Sequence, residues 1–207
     1  MPRPRKVSDE EVYAAALRAM SRLGPGELTL AEIAGEAGVT AGALVQRFGS
    51  KRALMLRMAE GVATGTGTLF AGLRRRHRSP LATIRAYAEC MAEMAPSPAA
   101  LARNLAYLQA DLADPDLRTH VVAQAKATRR ELESLVSEAI ARGELGPRTD
   151  ARALARTVEA VVSGALLTWA FHVEGAARTW LRRHVDAVLA PHLAAARGAE
   201  GASRRGA

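Results

Sequence analysis

Residues 29–48 read TLAEIAGEAGVTAGALVQRF, and the fold hangs on how this stretch is punctuated. Glu32 stands three residues after Thr29, the spacing of a capping box in which each side chain satisfies a free amide at a helix start. Leu30, Ile33, Ala34 and Ala37 then recur at three- and four-residue intervals and lay one apolar face along about two turns. Gly38 can take the left-handed conformation that closes a helix, with Val39 plugging the bend and Thr40 capping the next one. In that second helix Leu44 and Phe48 share the inward face, while the outward side is small at its start and polar further on. Two short helices about a glycine turn are the pattern of a helix-turn-helix. Its second helix enters the DNA major groove with the N-terminal end against the base edges.

At these residues the chain resembles the TetR family of bacterial transcriptional repressors. That family's signature is a threonine-led helix, Ile-Ala-x-x-Ala-Gly-Val-Ser/Thr, a small-residue turn, Leu-Tyr-x-His-Phe and a Ser-Lys start to the next helix. Thr29, Ile33, Ala34, Ala37, Gly38, Val39, Thr40, Gly42, Leu44, Phe48, Ser50, Lys51 and Leu54 match it. The resemblance implies DNA contacts from Thr29, Thr40, Ala41, Gly42, Ala43, Val45, Gln46, Arg47 and Lys51. Two positions depart from the pattern. Val45 stands where the family has a tyrosine whose hydroxyl touches a phosphate, so any contact there is apolar. Arg47 replaces a histidine and adds a full charge, suited to a phosphate or, bidentately, to a guanine.

The chain has 207 residues, 49% of them hydrophobic, enough for a packed globular protein of one large or two modest domains. Alanine, leucine, arginine and glutamate dominate and no β-branched alternation is bounded by hairpin turns, so the expected class is all-α. The net charge of +8 suits nucleic acid, but residues 1–57 hold nine basic against six acidic side chains, and arginine outnumbers lysine throughout. Charge alone is weak support. No run approaches the roughly 18 consecutive apolar residues of a membrane span, and the single Cys90 forms no internal disulfide. A cytoplasmic protein without membrane association is expected.

Ser8 and Glu11 form a second capping box ahead of a helix carrying Val12, Ala16, Ala19, Met20 and Leu23, stopped at Gly24-Pro25-Gly26. Before it, Arg3, Arg5 and Lys6 make a basic arm that either lies in the minor groove or is a solvated terminus. Ser50 caps a fourth helix with Lys51 in its first turn, where the resemblance implies a phosphate contact. Gly61, Gly65, Gly67 and Gly72 interrupt that helix, either as a soft hinge or as places where a neighbouring helix packs closely. Ser79-Pro80, Ser97-Pro98 and Asp114-Pro115 each place a cap before a proline tolerated at the first helical position. They predict helices over residues 80–94, 98–112 and 115–142, followed by 151–172 and 176–196, nine helices in all. The expected division is a helix-turn-helix domain at 1–52, an effector-binding and dimerisation domain at 53–196, and a disordered tail at 197–207.

Leu154, Val158, Val161, Val162, Ala165, Leu166 and Trp169 make a broad apolar surface on the eighth helix, and Trp180, Leu181, Val185, Val188 and Leu189 a stripe on the ninth. These faces either form a four-helix bundle with a second subunit or are internal core. The family forms such a bundle, so the expected homodimer interface is Val158, Val161, Val162, Ala165, Leu166, Trp180, Leu181, Val185, Val188 and Leu189. Such a dimer presents two reading heads about 34–36 Å apart to a palindromic operator in double-stranded DNA. The resemblance also implies a small-molecule effector, for which Phe70, Tyr87, Met91, Met94, Tyr107, Trp169 and His172 are the candidate lining, each also an ordinary core residue type.

Signals for an enzyme are weak. His77, His120, His172, His184 and His192 show no ligand spacing, and no phosphate loop, nucleophile elbow or catalytic carboxylate pair stands out. No metal, cofactor or catalytic residue is expected. The competing reading is a helical binding or catalytic protein without DNA function.

Overall fold

The structure, a computed structural model, describes residues 7–194. The basic arm and the tail expected at 197–207 lie outside these residues. Within them the chain forms nine α-helices: α1 Asp9–Met20, α2 Leu30–Ala37, α3 Ala41–Phe48, α4 Lys51–Arg76, α5 Pro80–Glu93, α6 Pro98–Ala113, α7 Pro115–Ala141, α8 Ala151–His172 and α9 Ala177–Leu189. Eight of the nine begin at a Ser, Thr or Asp whose side chain accepts a hydrogen bond from the first turn. Each such cap is worth about 1 kcal/mol. The capping box is complete at Ser8 and Glu11. At α2 the Thr29 half is made, with Thr29 Oγ1 accepting from the Glu32 amide at 3.1 Å.

The last helix is shorter than its sequence suggests. Pro191 has no amide to continue the ladder, so α9 stops at Leu189 and passes through a 3₁₀ turn, Ala190–His192. The chain then pairs with the α7–α8 turn. Gly146 donates to the His192 carbonyl at 2.8 Å and Ala194 to that of Glu144 at 3.1 Å.

Two cores result. The smaller joins Val12, Ala16 and Ala19 of α1 to Leu28, Ile33, Leu44, Phe48, Leu54 and Met58, so the first two turns of α4 belong to it. The larger is built from α4, α5, α7, α8 and α9 around Phe70, Ile84, Leu132, Leu135, Val158, Leu181 and Val185. α6 crosses the expected boundary at residue 52, because Tyr107 is buried in the smaller core and its hydroxyl donates to the Leu23 carbonyl at 3.0 Å.

α4 runs unbroken for 26 residues, about 39 Å, and packs along α7. A Cβ built at Gly61, Gly65 or Gly67 meets nothing within 4 Å. Close packing of a neighbour therefore does not explain these glycines. The packing reading thus finds no support within the protomer at these three positions, and the hinge reading stays an expectation.

α8 contains an 18-residue window of mean hydropathy 1.2, long and apolar enough by composition to cross a membrane. Its Leu154, Val158, Val162, Ala165 and Trp169 are spent on the larger core.

Candidate nucleic-acid interface and ligand region

The reading pair is held from three sides. Gly38 sits at φ 69°, and its amide and that of Val39 return to the last carbonyls of α2. Thr40 Oγ1 accepts from the Ala43 amide at 3.1 Å. Arg18 of α1 and Arg22 in the turn after it both pair with Glu36, and these two guanidiniums, Arg22 first, hold its carboxyl below the ordinary range. Leu44 and Phe48 anchor α3 in the core, Phe48 lying 6.2 Å from the Tyr13 ring.

The opposite side of α3 is open. Thr40, Gly42, Ala43, Val45, Gln46 and Arg47 are exposed, as is Thr29 at the head of α2, and Ala41 is half-buried. Val45 is 50% exposed, a large aliphatic side chain left in water by the fold itself.

Two of the expected contacts are engaged within the protein. Arg47 folds back across Phe48, its guanidinium 5.4 Å from the ring centroid, donates to the Val7 carbonyl at 2.6 Å and forms an ion pair with Asp9 at the start of α1. Lys51 is partly buried and donates to the carbonyls of Pro25 and Leu28 at 3.0 and 2.8 Å. It thereby ties the start of α4 to the α1–α2 turn. One of its three N–H groups is not used by these two bonds.

The next residue, Arg52, leaves the reading domain altogether. Its Nε and Nη2 meet Asp114 at 2.7 and 2.9 Å, and Nη2 reaches Asp116 at 2.6 Å. Asp114 is also the N-cap of α7, accepting from the amides of Asp116 and Leu117. Arg52 and those amides hold its carboxyl below the usual range. No sequence spacing connects residue 52 with residue 114; the signal for Asp114 was its capping position alone.

Of the seven expected effector residues, Phe70, Tyr87, Met91 and Trp169 share the larger core and the other three lie apart from it. Phe70 and Tyr87 stack at 5.0 Å inside the larger core, with Met91 packed against it. Burial, with Glu159 adding in the same direction, pushes the Tyr87 phenol up to about 12. Trp169 is buried there too, but its indole donates to the Gly175 carbonyl at 3.0 Å and so pins the α8–α9 corner. Tyr107 belongs to the other core, and Met94 and His172 are exposed at helix ends. Among the described residues, surface grooves lie at the α6–α7 corner, between α4 and α7, beside Arg74–Pro80, at the α7–α8 turn and beside α1, and none is lined by any of the seven. No group of three metal-binding side chains occurs among the described residues.

Seven of the ten expected dimer residues are taken up within the protomer, while Val161, Leu166 and Val188 stay partly exposed. Val158, Val162, Ala165, Trp180, Leu181, Val185 and Leu189 are buried in the protomer's own core, and Val161, Leu166 and Val188 pack against it. The reason is that α9 fills the space between α5 and α8, so both stripes find partners within one chain. The other face of α8 is left uncovered. Ala160, Ser163, Gly164, Leu167 and Phe171 share one helix face and are exposed, Phe171 by 71%.

Residues 12–58 match the family model described as bacterial regulatory proteins, tetR family, and residues 82–185, half of the chain, match that of the tetracyclin repressor-like C-terminal domain. The chain belongs to the TetR family. Solved structures of the same fold cover this TetR-family chain almost end to end. Reduced NemR of E. coli shares 19% identity over 91% of this chain and 99% of its own, with a TM-score of 0.72. The TetR transcriptional regulator SCO0520 of Streptomyces coelicolor shares 22% over 91% and 100%, TM-score 0.63. FadR of Bacillus subtilis, in complex with stearoyl-CoA, shares 14% over 87% and 97%, TM-score 0.65. A sequence search of curated proteins finds no match.

Proposed function

We propose that this TetR-family regulator is a ligand-responsive repressor that binds a palindromic operator as a homodimer and is released by a small molecule. The observation that carries the reading is the open edge of α3, where small residues at the helix start leave the backbone free to approach base edges while Leu44 and Phe48 hold the helix rigidly from behind. Gly42 and Ala43 admit the groove wall, Val45 suits a thymine methyl, and Gln46 can pair with adenine. Arg47 serves a phosphate or a guanine by exchanging Asp9 for it, and Thr29, Thr40, Ala41 and the remaining N–H of Lys51 complete the contact set.

The reading domain of this proposal extends to the second turn of α4, and the helices beyond it make the effector and dimerisation domain. The uncovered stripe of α8 is assigned to the second copy, since an apolar row of this length is otherwise left in water. An effector favouring one arrangement of α4 shifts the population of heads that match successive major grooves. That FadR binds stearoyl-CoA supports a C-terminal ligand site in this fold.

The test is selection of duplex DNA from a random pool by the purified chain, followed by footprinting and sedimentation. The expected result is a palindrome with half-sites about one helical turn apart, bound by a dimer, with affinity falling steeply with salt. In that complex Arg47→Ala and Gln46→Ala weaken binding. Recovery of no preferred duplex overturns the reading.

A further inference from the structure

We infer that the groove between the end of α6 and the outer face of α7 is a binding site for an amphipathic anion, an alkyl carboxylate. The groove holds about 640 Å³, within the size range of small-molecule sites. Its floor is apolar, from Leu112, Pro115, Val122 and Ala123, and its cations are Arg118, Lys126 and Arg130. No carboxylate lines it. On α7 the lining recurs at steps of three and four from Pro115 to Arg130, one helix face about 22 Å long. An extended chain with a charged head fits that shape.

Two further observations favour an occupant. Leu105, Leu108 and Leu112 occupy one face of α6 and are each more than 40% exposed, with Val122 exposed opposite. A folded chain gains from covering such a row. The three cations make no ion pair or side-chain hydrogen bond, whereas Arg52, Arg74 and Arg129 are all tied to carboxylates. Positive charge without an internal partner beside an apolar floor is complementary to a fatty acid and to neither a polyphosphate, which lacks the apolar part, nor an alkyl cation.

The position gives the site a consequence, which rests on the DNA-binding reading above. Leu112, Ala113 and Pro115 form one wall, and Asp114, in the same segment but not lining the groove, holds Arg52, one residue beyond Lys51. A ligand that repositions this corner changes the hold of α7 on the reading domain. The groove's wall and the interdomain ion pair are the same four-residue segment.

The experiment is calorimetric titration of the full-length protein with sodium decanoate below its micelle concentration, with decyltrimethylammonium as the cationic control, on the wild type and on a Lys126→Glu/Arg130→Glu variant. Both positions are exposed, so the fold should tolerate the change, checked by circular dichroism and by DNA binding without ligand. Expected are decanoate binding to the wild type, at least tenfold weaker binding to the variant, none of the cation, and at least fivefold weaker binding of selected duplex DNA at saturating decanoate. No decanoate binding, including through burial of the groove by a second subunit, overturns the site, as does equal affinity in the variant or for the cation. Binding that leaves DNA affinity unchanged overturns the coupling through Asp114. If decanoate binds as expected but no duplex is selected, the repressor reading fails and the site stands; selection of DNA without decanoate binding is the reverse.

Discussion

Arg52 grips Asp114 through two parallel hydrogen bonds of 2.7 and 2.9 Å, fastening the first turn of α4 to the junction of α6 and α7. The pair is half in water, Arg52 being 52% exposed, so its value lies in geometry more than in stability. Arg52→Ala is expected to change unfolding stability little, since both partners are open to solvent, while changing DNA affinity, because the reading domain loses a polar tie to the α6–α7 junction. Denaturant unfolding beside DNA titration checks this. A large stability loss with unchanged DNA affinity would make the pair a fold staple only.

Lys51 separates two roles by what its removal costs. Its ammonium satisfies the Pro25 and Leu28 carbonyls from a partly buried position, so Lys51→Met leaves both without that donor. The expected loss is about 1–3 kcal/mol of stability even without DNA. A lysine serving only a phosphate would leave stability intact and reduce the salt dependence of DNA binding by about one charge.

Caps carried most of what the sequence reveals of this fold. Ser8, Thr29, Thr40, Ser50, Ser79, Ser97, Asp114 and Asp150 each announce a helix, and each accepts the first-turn hydrogen bond, because capping is a local event spanning three residues. Periodicity located apolar faces equally well, but a face does not say what covers it. Val158 and Val185 belong to stripes that suit a bundle between subunits, and only the placement of α9 against α5 made them core. The site divided in the same way. The open edge at Gly42, Ala43 and Gln46 follows from helix spacing, whereas the bonds of Arg47 to Val7, Lys51 to Leu28 and Tyr107 to Leu23 span 23 to 84 residues and leave no local trace.

The glycines in the middle of α4 have no packing reason within the protomer. Gly61, Gly65 and Gly67 face open space in helical backbone. Substituting each by alanine is expected to stabilise the protein by up to about 1 kcal/mol and to slow amide hydrogen exchange through this segment. Unchanged exchange and stability would show that the helix is already rigid there.

The uncovered stripe of α8 is tested at its smallest residue. A Cβ at Gly164 meets nothing within the protomer, so Gly164→Arg is expected to leave helicity and monomer folding unchanged while shifting sedimentation from dimer to monomer. Val162→Ala, in the core face of the same helix, should instead cost about 1–2 kcal/mol of stability through lost burial. A dimer that survives Gly164→Arg places the interface elsewhere.

Tyr87 gives the larger core an alkaline limit. Its phenol is raised from 10.0 to about 12, chiefly by burial against Phe70 and its neighbours. A folded value above the unfolded one means the contribution is complete below about pH 10 and is lost as pH climbs toward 12, where the unfolded chain releases a proton that the folded one retains. Two units correspond to about 2–3 kcal/mol. Unfolding midpoints measured across this window should fall for the wild type and fall much less for Tyr87→Phe, which keeps the ring stack. Tyr107→Phe, whose hydroxyl instead holds the Leu23 carbonyl, should lower stability at neutral pH through the lost hydrogen bond and leave most of the alkaline slope in place. An alkaline slope that persists in Tyr87→Phe and vanishes in Tyr107→Phe would assign the titration to the smaller core.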